Sequence, residues 1–274
     1  MSRRRAGTIF LHVAMALGAL LTLAPLLWMI SASFMPDGEA NSFPPRLVPS
    51  DPTLAHYRDL FTRLNLARSF LNSVVITVLA TVLSVFVNSL AGYGFAKLPF
   101  PGRERLFRSL SVALVIPAQV GMLPLFLLLR ELGLINTYAG VLVPYAASVY
   151  GIFLVRQYAL GLPDALLDAA RVDGAGELRI FAVVALPVIR PILVTLAAFT
   201  FLSAWNDFMW PLIILSDSAR YTLPVALAGL VGEHVQDTEL MMAGSVITTL
   251  PALLAFLLFQ RTYVRGITAG SLKG

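Results

Sequence analysis

The 274-residue sequence has no cysteine, so disulfide cross-links, thiolate metal sites and a cysteine nucleophile are all excluded. Charge is scarce as well. Asp, Glu, Lys and Arg together make up 13% of the residues, about half the share of an ordinary soluble domain. The GxxxxGK[ST] pattern that cradles nucleotide phosphates is missing, so nothing in the chain is equipped to capture the energy of ATP. HExxH is missing too, and the three histidines do not gather: His12 lies near one end of the first apolar run, while His56 and His234 fall in loops, where a solvated ring is the default. A membrane-embedded hydrolase therefore fits poorly. An ion-driven carrier fits little better, because such carriers commonly hold ionisable groups at mid-membrane and Asp207 is the only acidic residue inside any apolar run.

What is abundant is apolar length. Hydrophobic residues make up 58% of the chain, and six runs are long enough to cross a hydrocarbon layer of about 30 Å as helix. They cover roughly Thr8–Ile30, Phe70–Ala96, Leu106–Leu129, Ala139–Val155, Ile192–Leu215 and Met241–Gln260. The first follows Arg3, Arg4 and Arg5 as a signal peptide would, but its apolar core exceeds the usual h-region, so it reads as a retained helix. Fourteen of the twenty Lys and Arg residues fall on one side when both termini are placed in the cytoplasm. The positive-inside bias thus gives cytoplasmic termini, and the scatter of these charges over four segments argues against a nucleic-acid surface. On the outer side the one long loop, Ser31 to Ser69, carries five prolines that favour extended chain, with "LAHYRDLF" as a short surface helix.

The cytoplasmic segment between the fourth and fifth runs, "DALLDAARVDGAGELRIFAVVALPVIRP", is unusually charged for this chain. Pro163 suits a first helical position, and Asp164 and Asp168 complement the positive end of a helix running to about Val172. Gly174 stands where a helix ends in a left-handed residue, and a second helix is predicted from about Glu177 toward Leu186, ahead of Pro187 and Pro191. Leu162, Leu166, Ala169, Ala170 and Asp173 form a stripe whose alanines would let a partner approach closely. Asp164, Asp168, Asp173 and Glu177 would be repelled by anionic headgroups, which disfavours a helix lying on lipid.

These residues carry a resemblance. Asp168-Ala169-Ala170, then Gly174, then Val184 and Leu186-Pro187 resemble in spacing the EAA signature of the membrane subunits of ATP-binding-cassette importers, with Asp168 where Glu is usual and Val184 where Ile is usual. The flanking "GIFLVRQYALGLPDALLDAARVDGAGELRIF", "TFLSAWNDFMWPLIIL" and "QRTYVRGITAGSLKG" are similar to the carbohydrate branch, in particular the smaller permease of maltose-type systems; the likeness spans about residues 69–274. It implies an all-α, six-span permease of the bacterial cytoplasmic membrane, forming half of a pore for a sugar, an oligosaccharide or a polyol phosphate. It further implies a second permease subunit, two ATPase subunits that bind ATP and Mg, and an extracytoplasmic substrate-binding protein. The chain itself would hold no cofactor or metal and would catalyse nothing.

On that resemblance Asp168, Ala169, Ala170, Asp173, Gly174, Leu186 and Pro187 couple to the ATPase, and Gly270 and Lys273 in the tail touch it. Residues 1–68 become an N-terminal helix and outer loop, 69–260 the permease core and 261–274 a cytoplasmic tail, flexible at Gly266, Gly270 and Gly274. Ser73, Thr77, Thr81, Ser84, Asn88, Gly92 and Ala96 keep to one face of the second run, for close packing or to line an aqueous path. Asn206 and Asp207, flanked by Trp205 and Trp210, either satisfy neighbouring helices or edge the solute path.

Overall fold

A computed structural model of the chain describes residues 2–62, 65–233 and 237–271, and the described residues contain helices and no strand. In chain order the helices are α1 (Ser2–Ala32), α2 (Ala55–Thr62), α3 (Leu66–Lys97), α4 (Arg103–Val112), α5 (Ala118–Glu131), α6 (Tyr138–Ala146), α7 (Val149–Ala159), α8 (Asp164–Val172), α9 (Glu177–Ile180), α10 (Leu186–Trp205), α11 (Met209–Ile214), α12 (Leu223–Glu233) and α13 (Thr238–Ser271). Among the described residues, five stretches are long and apolar enough to cross a membrane: Gly7–Ala32, Leu66–Lys97, Tyr138–Ala159, Glu177–Trp205 and Thr238–Gln260. A sixth is reached only if Arg103–Val115 and Ala118–Glu131, bent by 108° at their junction, count as one span.

That bend divides the apolar run Leu106–Leu129 at Pro117. Ile116 is extended (φ −81°, ψ 121°) because the ring of Pro117 crowds the preceding residue out of helical geometry. Pro124, further on, is tolerated inside α5. The fourth span is interrupted at Ala147–Ser148, where the Ser148 hydroxyl accepts the Gly151 N–H at 2.8 Å and so caps the restarted helix α7. The fifth differs at both ends. It begins at Glu177 and ends at Trp205, where Ile192 and Leu215 were expected. Pro187 and Pro191 do not end the helix: a π-helical stretch, Phe181–Ala185, ends two positions before Pro187 and widens the turn against which its ring would otherwise press.

Residues 68–225 and 252–274 form one compact unit. Its larger core joins Tyr93 and Ala96 of α3, Val155 and Ala159 of α7, and Ile189, Leu193 and Leu196 of α10. The small-residue face of α3 is packed: Ser73, Thr77, Ser84 and Asn88 are all buried, and a Cβ at Gly92 would lie 2.6 Å from Cβ of Val155, so only glycine allows this approach of α3 to α7. A second cluster gathers Ile76, Leu129, Val141, Trp210 and Ile214.

The other unit comprises residues 1–67 and 226–251. Here the segment following α1 folds on itself around buried Met35 and Leu60. His56 is buried in this loop, contrary to its expected solvation, and its Nε2–H donates to the Met35 carbonyl at 2.8 Å. The buried Glu239 carboxylate accepts the Ala40 N–H at 2.7 Å. His234 lies outside the described residues.

Candidate functional site

The charged segment folds as an elbow. Pro163 precedes α8, which ends with Asp173 as its cap and Gly174 at φ +79°, the left-handed turn that the sequence predicts. Two backbone bonds close the turn, Gly174 N–H to the Arg171 carbonyl and Ala175 N–H to the Ala170 carbonyl, both at 3.0 Å, which is the Schellman arrangement. A Cβ at Gly174 would meet nothing within 4 Å, so glycine is required by backbone geometry alone.

Side chains lock the same turn. Arg171 donates through Nε to Glu177 Oε1 at 2.8 Å, through Nη2 to Glu177 Oε2 at 3.3 Å, and through Nη1 to Asp168 Oδ1 at 2.7 Å. The guanidinium thus bridges α8 to α9 in the two-pronged geometry that fixes orientation as well as distance, and hydrogen bonds to the two carboxylates hold it more firmly protonated than usual. Arg171–Glu177 is a contact the sequence reading missed. Six residues apart, the pair matches no helical spacing and meets only because the chain turns at Gly174.

The inner side of the elbow is anchored to the transmembrane helices. Leu167 and Ile180 are buried in the α3–α7–α10 core, with Ala170 and Ala175 half-buried against it. Lys97, the last residue of α3, donates to the Leu162 carbonyl at 2.7 Å and to Asp164 Oδ1 at 2.6 Å. The hydrogen bond and charge of Lys97 hold the exposed Asp164 carboxyl below the usual carboxylate range. Nearby, Arg156 is buried over the Phe107 ring, donating to Glu104 Oε1 at 2.7 Å and to the Phe95 carbonyl.

The outer side is apolar and unpacked. Ala165, Ala169 and Val172 fall at i, i+4 and i+7 on one exposed face of α8, Val172 being 87% exposed, and Leu178 beyond the turn is 77% exposed. The expected pair Ala169 and Ala170 is therefore divided: Ala169 faces out, Ala170 turns toward the core. Asp168 and Asp173 are exposed beside this face. Leu186 and Pro187 lie beyond the π-helical stretch, Leu186 half-buried on the core and Pro187 exposed in the first turn of α10, so they shape the helix leading away from the elbow.

The candidates for the solute path separate. Asn88 is fully buried, with Nδ2 donating to the Ser84 carbonyl and hydroxyl and Oδ1 accepting the Ser148 N–H, so it ties α3 to the break between α6 and α7. Asn206 caps α10 and donates to the Leu202 carbonyl at 2.8 Å. Asp207 is not within a continuous helix as expected but in the break between α10 and α11, where Oδ2 accepts from the Tyr145 hydroxyl at 2.6 Å and Oδ1 from the Trp210 N–H at 3.3 Å. In the tail, α13 continues through Gly266 and Gly270 to Ser271, where a flexible segment was expected; Lys273 and Gly274 lie outside the described residues.

Residues 88–268 match the family described as binding-protein-dependent transport system inner membrane component. The chain is 39% identical to the arabinooligosaccharides transport system permease protein AraQ of Halalkalibacterium halodurans over 267 residues, covering 96% of each. It is 32% identical to the lactose transport system permease protein LacG of Rhizobium radiobacter, covering 99% of this chain and 98% of that protein. Among solved structures it resembles a chain of a bacterial ABC transporter involved in the import of the acidic polysaccharide alginate, with a TM-score of 0.81, 26% identity and coverage of 95% and 98%.

Proposed function

The chain belongs to the family of inner membrane components of binding-protein-dependent transport systems, and from that premise we propose that it is one permease subunit of an ATP-driven carbohydrate importer. It forms half of the translocation pathway, paired with a second permease, two ATPase subunits on the cytoplasmic side and an extracytoplasmic binding protein. Residues 69–260 are its core, 1–68 an N-terminal addition and 261–274 a cytoplasmic tail. Carbohydrate is the solute class because relatives similar over nearly the whole chain are named for arabinooligosaccharide and lactose transport.

The observation that carries the reading is the two-sided elbow. An exposed apolar face on α8 calls for a partner in the aqueous phase, while the opposite side is fastened to three transmembrane helices by Leu167, Ile180 and Lys97. Such an element passes on displacement. The ATPase cleft receives Ala165, Ala169 and Val172, Asp168 and Asp173 edge the contact, and Gly174 sets its angle. Closure of the ATPases around nucleotide moves α8 as a rigid body and changes the access of the pathway. The chain's own contribution is mechanical, and hydrolysis of ATP belongs to the partner.

Absence of native cysteine makes the test direct. A single Ala169→Cys should cross-link to the co-purified ATPase in the nanodisc-embedded assembly, and arabinooligosaccharide or lactose with the cognate binding protein should stimulate ATP hydrolysis. Uptake by the chain alone, driven by an ion gradient without ATP, would overturn the reading. Stimulation by non-carbohydrate solutes alone would overturn its solute class.

A further inference from the structure

Two of the spans are broken and the fifth ends, and these three departures from helix meet at one place. The chain leaves helical geometry at Ile116–Pro117, at Ala147–Ser148 and at Asn206–Phe208. A cavity of about 430 Å³ is lined by Ala118 and Gln119 just after the first break, Pro144 and Tyr145 just before the second, and Ser203 and Asp207 at the third. A neighbouring cavity of about 310 Å³ shares Pro144, Tyr145 and Ser203 and adds the hydroxyls of Ser84, Ser148 and Thr200. Non-helical backbone at membrane depth is tolerated where it is buried in protein or borders water, and interrupted helices in transporters characteristically surround the solute. Two interrupted spans and the end of a third around a space of ligand size therefore mark a solvated solute position.

Among mostly apolar lining residues such as Met122, Leu125 and Trp210, the polar chemistry of the wall is one-sided. Gln119, Tyr145, Ser203 and Asp207 offer amide, hydroxyl and carboxylate groups, and neither cavity is lined by a lysine or arginine. The Asp207 carboxylate is held in place by the Tyr145 hydroxyl and carries lone pairs for further donors. Carboxylate and amide together pair with vicinal hydroxyls, whereas an uncompensated negative charge in a space of reduced dielectric repels an anion.

We propose that the Asp207–Tyr145–Ser203–Gln119 cavity is a solute subsite within this subunit, that it takes neutral polyhydroxylated solutes, and that Asp207 excludes anionic ones. The proposal rests on the permease reading and adds that this chain itself touches and selects the solute.

Ser203 lies one helical turn before Asp207, so a cysteine there reports the charge of the cavity. The complete assembly in nanodiscs, carrying Ser203→Cys as its only cysteine in this subunit, is treated with cationic and anionic methanethiosulfonates of equal size. After correction for their reactivity with free thiol, the cationic reagent reacts at least about tenfold faster, even with water-like screening. Asp207→Asn removes that preference and Tyr145→Phe, which leaves the charge in place, retains it. Lactose or arabinotriose at millimolar concentration slows the labelling, and lactobionate, the anionic counterpart of lactose, slows it only in Asp207→Asn. Failure of the Ser203→Cys thiol to react with water-borne reagents in any nucleotide state, a preference indifferent to Asp207→Asn, or protection by cations in place of sugars overturns the subsite. A parent assembly whose ATPase ignores every sugar overturns the function proposed above; a sugar-responsive ATPase without protection of the Ser203→Cys thiol overturns the subsite alone.

Discussion

Replacement of Gly174 tests the elbow most directly, because its cost is calculable without any steric term. At φ +79° an L-residue is strained by about 1–2 kcal/mol, and a β-branched residue lies at the upper end or beyond. With nothing within 4 Å of the added Cβ, no collision contributes. Opposing the strain are the two backbone bonds of the turn, each about 1 kcal/mol net, and the exposed Arg171–Glu177 pair, which adds a smaller share. Gly174→Ala therefore leaves the turn mostly closed. Gly174→Val brings closed and open forms near balance, and docking, which requires the closed form, weakens by the populated fraction, about twofold to threefold.

The diagnostic comparison is the double variant. Glu177→Gln alone has little effect, because the backbone bonds still hold the turn. Added to Gly174→Val, it removes the remaining bias and weakens docking by about tenfold, well beyond the product of the single effects. Gly174→Asn is the control, since asparagine tolerates left-handed geometry better than other side chains. The readouts are ATPase affinity by titration of the detergent-free permease pair and sugar uptake in proteoliposomes. If Gly174→Val docks and transports like the parent and the double variant shows no excess loss, the turn does not position the ATPase contact.

Two further outcomes follow from other contacts. Gly92→Val presses a side chain onto Val155 and should destabilise the permease by about 1–3 kcal/mol, read as a lower thermal midpoint of the assembly, with Val155→Ala restoring part of it. Because Lys97 lowers the Asp164 carboxyl in the folded chain, the contact contributes fully above the ordinary value near 3.8 and is lost as pH falls through the lowered one. The difference in hydrogen exchange at α8 between the parent and Asp164→Asn should thus stay constant from neutral pH to about pH 5 and shrink only below about pH 4.

The elbow was legible in the sequence because its determinants are local. Pro163 and Gly174 act through their own backbones, so a start and a left-handed stop can be read without knowing the neighbours. Which way α8 faces is another matter: Ala169 and Ala170 are adjacent letters, and only the packing of Leu167 and Ile180 decides that the second turns inward. The broken spans were hidden for a different reason. Apolar length is an average over about twenty residues, and a break of two or three residues, such as Ala147–Ser148, barely alters it. Proline has no single outcome, ending helix at Pro117 but not at Pro187, since the result depends on whether the preceding turn can widen.

One element joins the two candidate sites. The helical stretch Glu177–Trp205 runs 29 residues, about 43 Å at helical rise, from the Arg171 clamp at one end to the Asn206–Asp207 break at the other. A displacement of α8 therefore passes through the clamped Gly174 turn into one continuous helix that ends two residues short of Asp207. The departure from α-helical geometry along this rod, at Phe181–Ala185, lies within its first three turns, next to the elbow. A wide turn there yields more easily than an α-helical one and absorbs small misfits of docking, while the α-helical remainder, α10, stays stiff and moves as a body. At the far end stiffness stops at Trp205, and the Tyr145–Asp207 hydrogen bond is the first contact to feel the movement across to α6. On the proposed function, coupling and solute selection depend on opposite ends of a single helix, and a one-residue deletion at exposed Val183, which converts the wide turn to an α-helical one, should impair sugar-stimulated ATPase activity while leaving the Asp207-dependent labelling preference intact.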